Sequence, residues 1–304
     1  MEVDKNKFTV TGCEDNDADL VVRPNITFWQ DAWRRLKKNP VAMVSLCVLI
    51  LFTIMVIIGP YISGQNFRDV NPKIKNIAPN SKYWFGTNLL GKDLFSLVWL
   101  GGRVSIIIGL VATFIQVVVG CLYGGIMAYF GGYVDEVMMR IIEVLNSVPS
   151  LLVTILFSCV LGNGLFPLLV ALCITAWTGT ARMIRGQIMQ LRESEYVLAA
   201  EALGASPGRI IIKHLIPNTI GLLILDIATS IPSYIFAEAG LSFIGLGLQP
   251  PNTSWGVLIA VGEQAVAFYP YQLILPSLAL CIVVLAFNLL GDGLTNALDP
   301  KLRQ

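Results

Sequence analysis

The sequence predicts an all-α polytopic membrane protein with six membrane-spanning helices. Three observations carry that reading. The 304-residue chain is 55% hydrophobic, with a mean hydropathy of +0.69. Only 13% of it is charged, against about 25% in a soluble domain. The apolar residues also lie in blocks: 41–62 and 105–129 carry no charge at all, and about 20 residues at about 1.5 Å each cross the hydrocarbon. Further blocks follow at 137–161, 165–181, 219–237 and 273–290. With no water to hold backbone polar groups, such segments must be helices, because they lack the alternation of a barrel strand.

The elements follow in order. Residues 1–40 form an arm with seven basic side chains: Lys5, Lys7, Arg23, Arg34, Arg35, Lys37 and Lys38. The block at 41–62 begins too late and runs too long for a signal peptide, and it ends in Gly59-Pro60-Tyr61 rather than a cleavage site. It is a retained span, and 41–100 comprise this span and an external loop. The core, 101–293, starts with the second span, where Gly120 and Gly124 have the spacing for close helix packing. The third block carries Arg140, Glu143 and Asn146 at three-residue steps on one face, with Pro149 able to kink it. Arg140 and Glu143 read as a structural ion pair. The fifth carries Asp226 with no basic residue near it, so this carboxylate should face the interior or a water-filled path. The alternative is a buried ion pair with another subunit. A tail, 294–304, closes the chain.

Basic residues set the orientation. With six spans and the N-terminus inside, fifteen Lys and Arg fall inside and six, all in loop 63–103, outside. Both termini and the segment 182–217 are therefore expected in the cytoplasm. Of six cysteines, Cys47, Cys121, Cys159, Cys173 and Cys281 lie in spans and Cys13 in the arm. None falls in an external loop, so no disulfide framework is implied.

Inside this apolar chain sits a polar stretch, "EYVLAAEALGASPGRIIIKHLIPN" at 195–218. Ala199, Ala200 and Glu201 are strong helix formers, and Gly204 suits the left-handed residue that closes a helix. Ser206 and Pro207 open a second helix. Ile210, Ile211, Ile212 and Leu215 give that helix an apolar surface, with Arg209 and Lys213 as its charges. Pro217 is expected to end it and start the fifth span. An ordinary amphipathic helix lying on the membrane is the alternative.

The spacing Ala199-Ala200-x3-Gly204-x12-Pro217 resembles the EAA loop of ABC-transporter permease subunits, which docks on the ATPase. The Glu of that consensus is Leu198 here, and His214 and Ile216 replace its Ile and Leu; Glu201, one turn later, leaves open whether it takes the acidic role. "FWQDAWRRLKKNPVAMVSL", "FGTNLLGKD", "GLSFIGLGLQPPNTSWG" and "GDGLTNALDPK" occur in the order found in C-type permeases of oligopeptide and dipeptide ABC importers. The resemblance covers the chain from about residue 28 to the end. It implies a type I ABC importer permease fold in a prokaryotic plasma membrane. It further implies a second homologous permease, two ATPase subunits, an extracytoplasmic solute-binding protein and an oligopeptide cargo, with dipeptides, nickel or another small solute as alternatives. Ala199, Ala200, Glu201, Gly204, Ser206, Pro207, Arg209, His214 and Pro217 are then candidates for ATPase coupling, and Asp226, Glu143 and Asn146 for the pore.

"GTNLLGKD", 86–93, approaches the phosphate-binding pattern Gly-x4-Gly-Lys-Ser/Thr, but Asp93 stands where a hydroxyl would hold Mg²⁺ and no strand precedes it. No cofactor is expected in this chain; ATP and Mg²⁺ belong to partner subunits. Loop 63–103 reads either as a docking surface for the binding protein or as a capped turn before the second span. One histidine cannot build a metal cluster, and enzyme readings fail. An ion-driven secondary transporter would need ionisable relays and inverted repeats, neither of which the sequence offers. A purely structural subunit leaves the coupling-type loop unexplained. Nothing points to nucleic acid; the lipid bilayer is the remaining partner.

Overall fold

A computed structural model describes residues 28–65 and 70–298. Lys5, Lys7, Cys13, Arg23, Arg68, Lys301 and Arg303 lie outside the described residues.

Helix α1 (Phe28–Lys38) places Trp29, Ala32, Trp33 and Leu36 along one face, and Leu36 is buried in a cluster with Ala42 and Ala297. Asn39 then accepts the Ala42 amide at 3.2 Å, and with Pro40 in the first turn it opens α2 (Pro40–Ile62). Pro60 lies within α2 and has no amide for the Val56 carbonyl one turn back. Arg103 fills that gap: its Nε and Nη2 donate to Val56 O at 3.3 and 3.1 Å, and Nη2 donates to Ile57 O at 3.0 Å. Arg103 therefore belongs to a helix, α3 (Leu94–Phe130), which starts well before the charge-free block at 105.

Ahead of α3 the chain is a compact turn. Asp93 Oδ2 accepts the Ser96 amide at 3.0 Å and the Ser96 hydroxyl at 2.7 Å, capping the helix. The buried Thr87 accepts the Ile77 amide through its hydroxyl. Its carbonyl receives Tyr271 Oη and Gln272 Nε2, each at 3.1 Å. The turn before α3 is thus capped.

The third expected span is not one rod. Helices α4 (Gly132–Asn146) and α5 (Ser150–Leu161) meet at a bend of 77°. Pro149 removes an amide and disfavours helical backbone at Val148, so the helix stops and restarts. Helix α6 (Leu165–Arg192) follows, then α7 (Glu195–Ala202) and α8 (Pro207–Arg209). Helical backbone continues through a π turn, Ile210–Leu215, and a 3₁₀ turn, Ile216–Thr219, into α9 (Ile220–Phe243). The short α10 (Trp255–Gln264) and the long α11 (Tyr271–Leu298) complete the chain. Among the described residues five helices, counting Pro207–Phe243 as one, are long and apolar enough to cross a membrane, and there are six if the bent α4–α5 pair is one span.

Close backbone approach organises the bundle. A Cβ on Gly102 would lie 2.5 Å from the Trp255 ring, so glycine leaves room for this fully buried indole, which donates to Val98 O at 2.9 Å. Along α3 and α6, a Cβ on Gly120 would sit 2.7 Å from Thr180, and one on Gly124 only 2.4 Å from the Ala181 carbonyl oxygen. The Gly120/Gly124 spacing is thus a contact, as small-residue packing in membranes requires. At one end of these helices Ile184, Ile188, Val197, Ile210, Ile211 and Leu215 form a separate apolar cluster.

Gly124→Ala should cost about 1–3 kcal/mol through overpacking, read as a lower unfolding temperature of the purified chain. Gly186→Ala, on the same pair of helices but with nothing near its Cβ position, should gain up to about 1 kcal/mol from helix propensity. Equal effects of the two substitutions would show that α3 and α6 do not touch at Gly124.

Candidate functional site

The polar stretch forms a rigid ridge. Helix α7 closes with the Gly204 amide bonded to Glu201 O at 2.9 Å and the Ala205 amide bonded to Ala200 O at 3.0 Å. This paired closure needs a left-handed residue, and Gly204 has φ +78°. Ser206 is extended and Pro207 takes the first helical position, although the Ser206 hydroxyl makes no capping bond. Ile210, Ile211 and Leu215 are buried on Ile184, Ile188 and Val197. A helix lying on a membrane would leave that face to lipid; here the protein's own spans occupy it.

What remains outside is distinctive. Ala199, Glu201, Gly204, Ser206, Pro207, Arg209 and Pro217 are exposed, and Ala200 and His214 are half-buried. Leu203 is 87% exposed, with Leu198 and Ile212 exposed near it. The Glu201 carboxylate interacts with the Tyr129 hydroxyl at the end of α3. Below the ridge Arg185 pairs with Asp135, and Arg192 Nη1 donates to Ala128 O and Tyr129 O at 2.9 and 3.2 Å. These bonds tie α4 and the end of α3 to α6.

Pro217 does not end the helix as expected. The Ile216 amide bonds Ile211 O, five residues back, so the π turn widens just before the proline. The extra residue shifts the register that Pro217 would otherwise break. Segment 207–215 is the first part of a 37-residue rod, Pro207–Phe243, rather than a separate helix.

The second feature is a cleft of about 640 Å³ between the α4–α6 region and α9. Its polar lining includes Asn146, Ser150, Thr154, Thr178, Ser233 and Tyr234, and no charged residue contributes among the described residues. Asn146 Oδ1 accepts the Thr178 hydroxyl at 3.0 Å. Glu143 does not reach the cleft: it pairs with Arg140 at 2.8 Å, with the two side chains 46% and 73% exposed.

Asp226 is also absent from that wall, and it has partners. They come from neighbouring helices rather than its own span. Its Oδ2 accepts Thr180 Oγ1 at 2.6 Å and Gln116 Nε2 at 3.1 Å. Gln116 Nε2 also donates to Ser230 Oγ at 3.0 Å, and Gln116 Oε1 accepts Tyr234 Oη at 2.6 Å. Asp226 thus stands one hydrogen-bonded residue behind Tyr234, which does face the cleft.

Sequence reasoning missed the deepest acid. Glu238 is fully buried. Its Oε2 accepts Ser105 Oγ at 2.7 Å and its Oε1 accepts Ser242 Oγ at 2.8 Å; Ser105 Oγ in turn accepts the Trp255 amide at 3.2 Å. The expected fifth span stopped at 237, one residue short, whereas α9 runs to Phe243. The only cue was an acid set among small residues in "FAEAGLS".

Comparison with known proteins bears on this arrangement. The family described as "Binding-protein-dependent transport system inner membrane component" matches residues 116–304, and the "N-terminal TM domain of oligopeptide transport permease C" matches 27–79. The dipeptide transport system permease protein DppC of Bacillus subtilis is 44% identical over 298 residues, covering 98% of this chain and 93% of that protein. The oligopeptide transport system permease protein OppC of Bacillus subtilis is 40% identical over 304 residues, covering all of both. Among solved structures, a chain of the inward-facing MetNI methionine ABC transporter superposes with a TM-score of 0.52 at 20% identity, over 67% of this chain and 96% of its own. That likeness shows the type I ABC importer permease fold. The chain belongs to the binding-protein-dependent transport system inner membrane component family, as a multi-pass membrane permease of a bacterial ABC transporter.

Proposed function

We propose that the chain is half of a heterodimeric pore for oligopeptides, beside a second homologous permease, with both termini cytoplasmic. In this reading two ATPase subunits bring the ATP and Mg²⁺, one of them docks on the 195–217 ridge, and a binding protein delivers cargo at the opposite face. The ridge carries the proposal. Its inner apolar face is already buried in the chain, yet Leu203, Leu198 and Ile212 stand exposed beside Gly204 and Arg209. Large apolar side chains held out on a rigid ridge suit the anchors of a protein interface. The excess of Lys and Arg assigned to the inner side supports the orientation. Movement of the ATPases would push on the ridge, and the unbroken helix Pro207–Phe243 carries the push to Ser233 and Tyr234 at the cleft.

The cleft supports a peptide cargo. Hydroxyl and amide groups offer hydrogen bonds to peptide backbone without selecting a side-chain charge, and no fixed charge on this wall would trap a passing molecule. Asp226 acts in this reading through Gln116 and Tyr234 rather than by touching cargo. The oligopeptide permeases among the relatives support an oligopeptide cargo, and the 44% identical DppC makes a dipeptide cargo the alternative.

Three measurements test the proposal. Leu203→Asp removes no internal contact, so abundance in the membrane should hold while uptake and ATPase copurification fall at least about tenfold; unchanged uptake removes the ridge from coupling. Uptake of a labelled tetrapeptide should be competed by tri- to pentapeptides more strongly than by dipeptides or Ni²⁺, and the reverse order assigns the smaller cargo. Asp226→Asn should lower the unfolding temperature, at a cost of about 1–3 kcal/mol, with the uptake ratio of free to N-acetylated peptides unchanged. A changed ratio would put Asp226 in the path itself.

A further inference from the structure

The face of α1 does not close fully against the bundle. Between Trp29, Trp33 and Leu36 on one side and Leu46, Ile224 and Leu294 on the other lies a cleft of about 300 Å³, and every described residue that lines it is apolar. Trp29 and Trp33 remain 55% and 46% exposed. A second cleft, sharing Trp29 and Leu298 with the first, reaches Pro217 and Asn218 at the root of the ridge.

The helix that forms one side of the first cleft also carries the cations Arg34, Lys37 and Lys38. Lys37 Nζ stands over the Trp33 ring, 5.3 Å from its centroid. Arg34, Lys37 and Lys38 are exposed, and none makes an ion pair among the described residues. The one acid of α1, Asp31, is already held by Arg35 at 2.9 Å. Asn39 alone separates α1 from the first span, so cleft and cations sit where a bilayer changes from hydrocarbon to headgroup.

We propose that this cleft holds an acyl chain of an anionic phospholipid, whose phosphate lies against Arg34, Lys37 and Lys38. The slot is apolar where the acyl chain enters and positive where the headgroup ends, which is the polarity of such a lipid. Lys37 over Trp33 joins the two halves. The neighbouring cleft places the lipid beside Pro217, next to the ridge.

The test uses the full-length chain in nanodiscs of phosphatidylcholine. Increasing fractions of phosphatidylglycerol or phosphatidylcholine with brominated acyl chains are introduced in parallel. The Trp33 signal is the emission difference between the protein and its Trp33→Phe variant. Brominated phosphatidylglycerol should quench that signal at a lower mole fraction than brominated phosphatidylcholine. Each of Arg34→Gln, Lys37→Gln and Lys38→Gln should narrow the preference by up to about five-fold. Leu294→Phe, which fills the cleft, should reduce quenching by both lipids. Inorganic phosphate added to the buffer should not abolish the phosphatidylglycerol preference; if it does, the cations bind free phosphate and the lipid assignment falls. Equal quenching by the two lipids, or a preference that survives the triple glutamine variant, overturns the proposal. Absence of quenching by either lipid means that protein covers the cleft, which overturns it as well.

Discussion

The bundle depends on how closely α3 approaches α6. Lipid tails are as apolar as leucine, so burial alone does not drive two helices together in a membrane. Two devices replace it here. Gly120 and Gly124 let backbone meet backbone, and Gln116, one turn before Gly120, bridges the same seam to Thr180, Asp226 and Ser230. An amide and a carboxylate would be costly in lipid; joined across three helices they satisfy one another and fix register and depth. The α9 helix, which carries Asp226, Ser230 and Tyr234, is located by that junction, and the cleft and the rod are located by α9.

The fold was largely legible in the sequence because lipid makes a simple demand: long uncharged blocks can only be helices. Helix ends were less legible. Hydropathy places a boundary at a charge, yet Arg103 lies inside α3 because its charge bonds α2 carbonyls, and Glu238 lies inside α9 because Ser105 and Ser242 donate to it. Tertiary partners of this kind leave no local trace. The bend at Pro149 was visible as a possibility, but its 77° was not.

The ridge was read well where backbone chemistry is local, since Gly204 and Ser206-Pro207 take the conformations their residue types favour. The continuity past Pro217 was not visible. A proline is compatible with a helix when the preceding turn widens, and that widening is possible because Ile210, Ile211 and Leu215 are anchored by other helices. Asp226 was singled out correctly as unusual for a span, but a sequence shows no partner from α3 or α6, so its hydrogen bonds could not be anticipated. Leu203 escaped notice because nothing marks a leucine as unburied until its neighbours are placed.

The Pro60–Arg103 pairing bears on biogenesis. The carbonyl of Val56 has no donor within its own helix, and the guanidinium that serves it lies 47 residues further along the chain. While the protein is being made, α2 leaves the ribosome before α3 exists. A lone α2 in the bilayer would hold an unserved carbonyl in hydrocarbon, and a lone α3 would carry an uncompensated cation. Each helix removes the other's penalty, so the first hairpin partitions into lipid more favourably as a pair than as two successive segments.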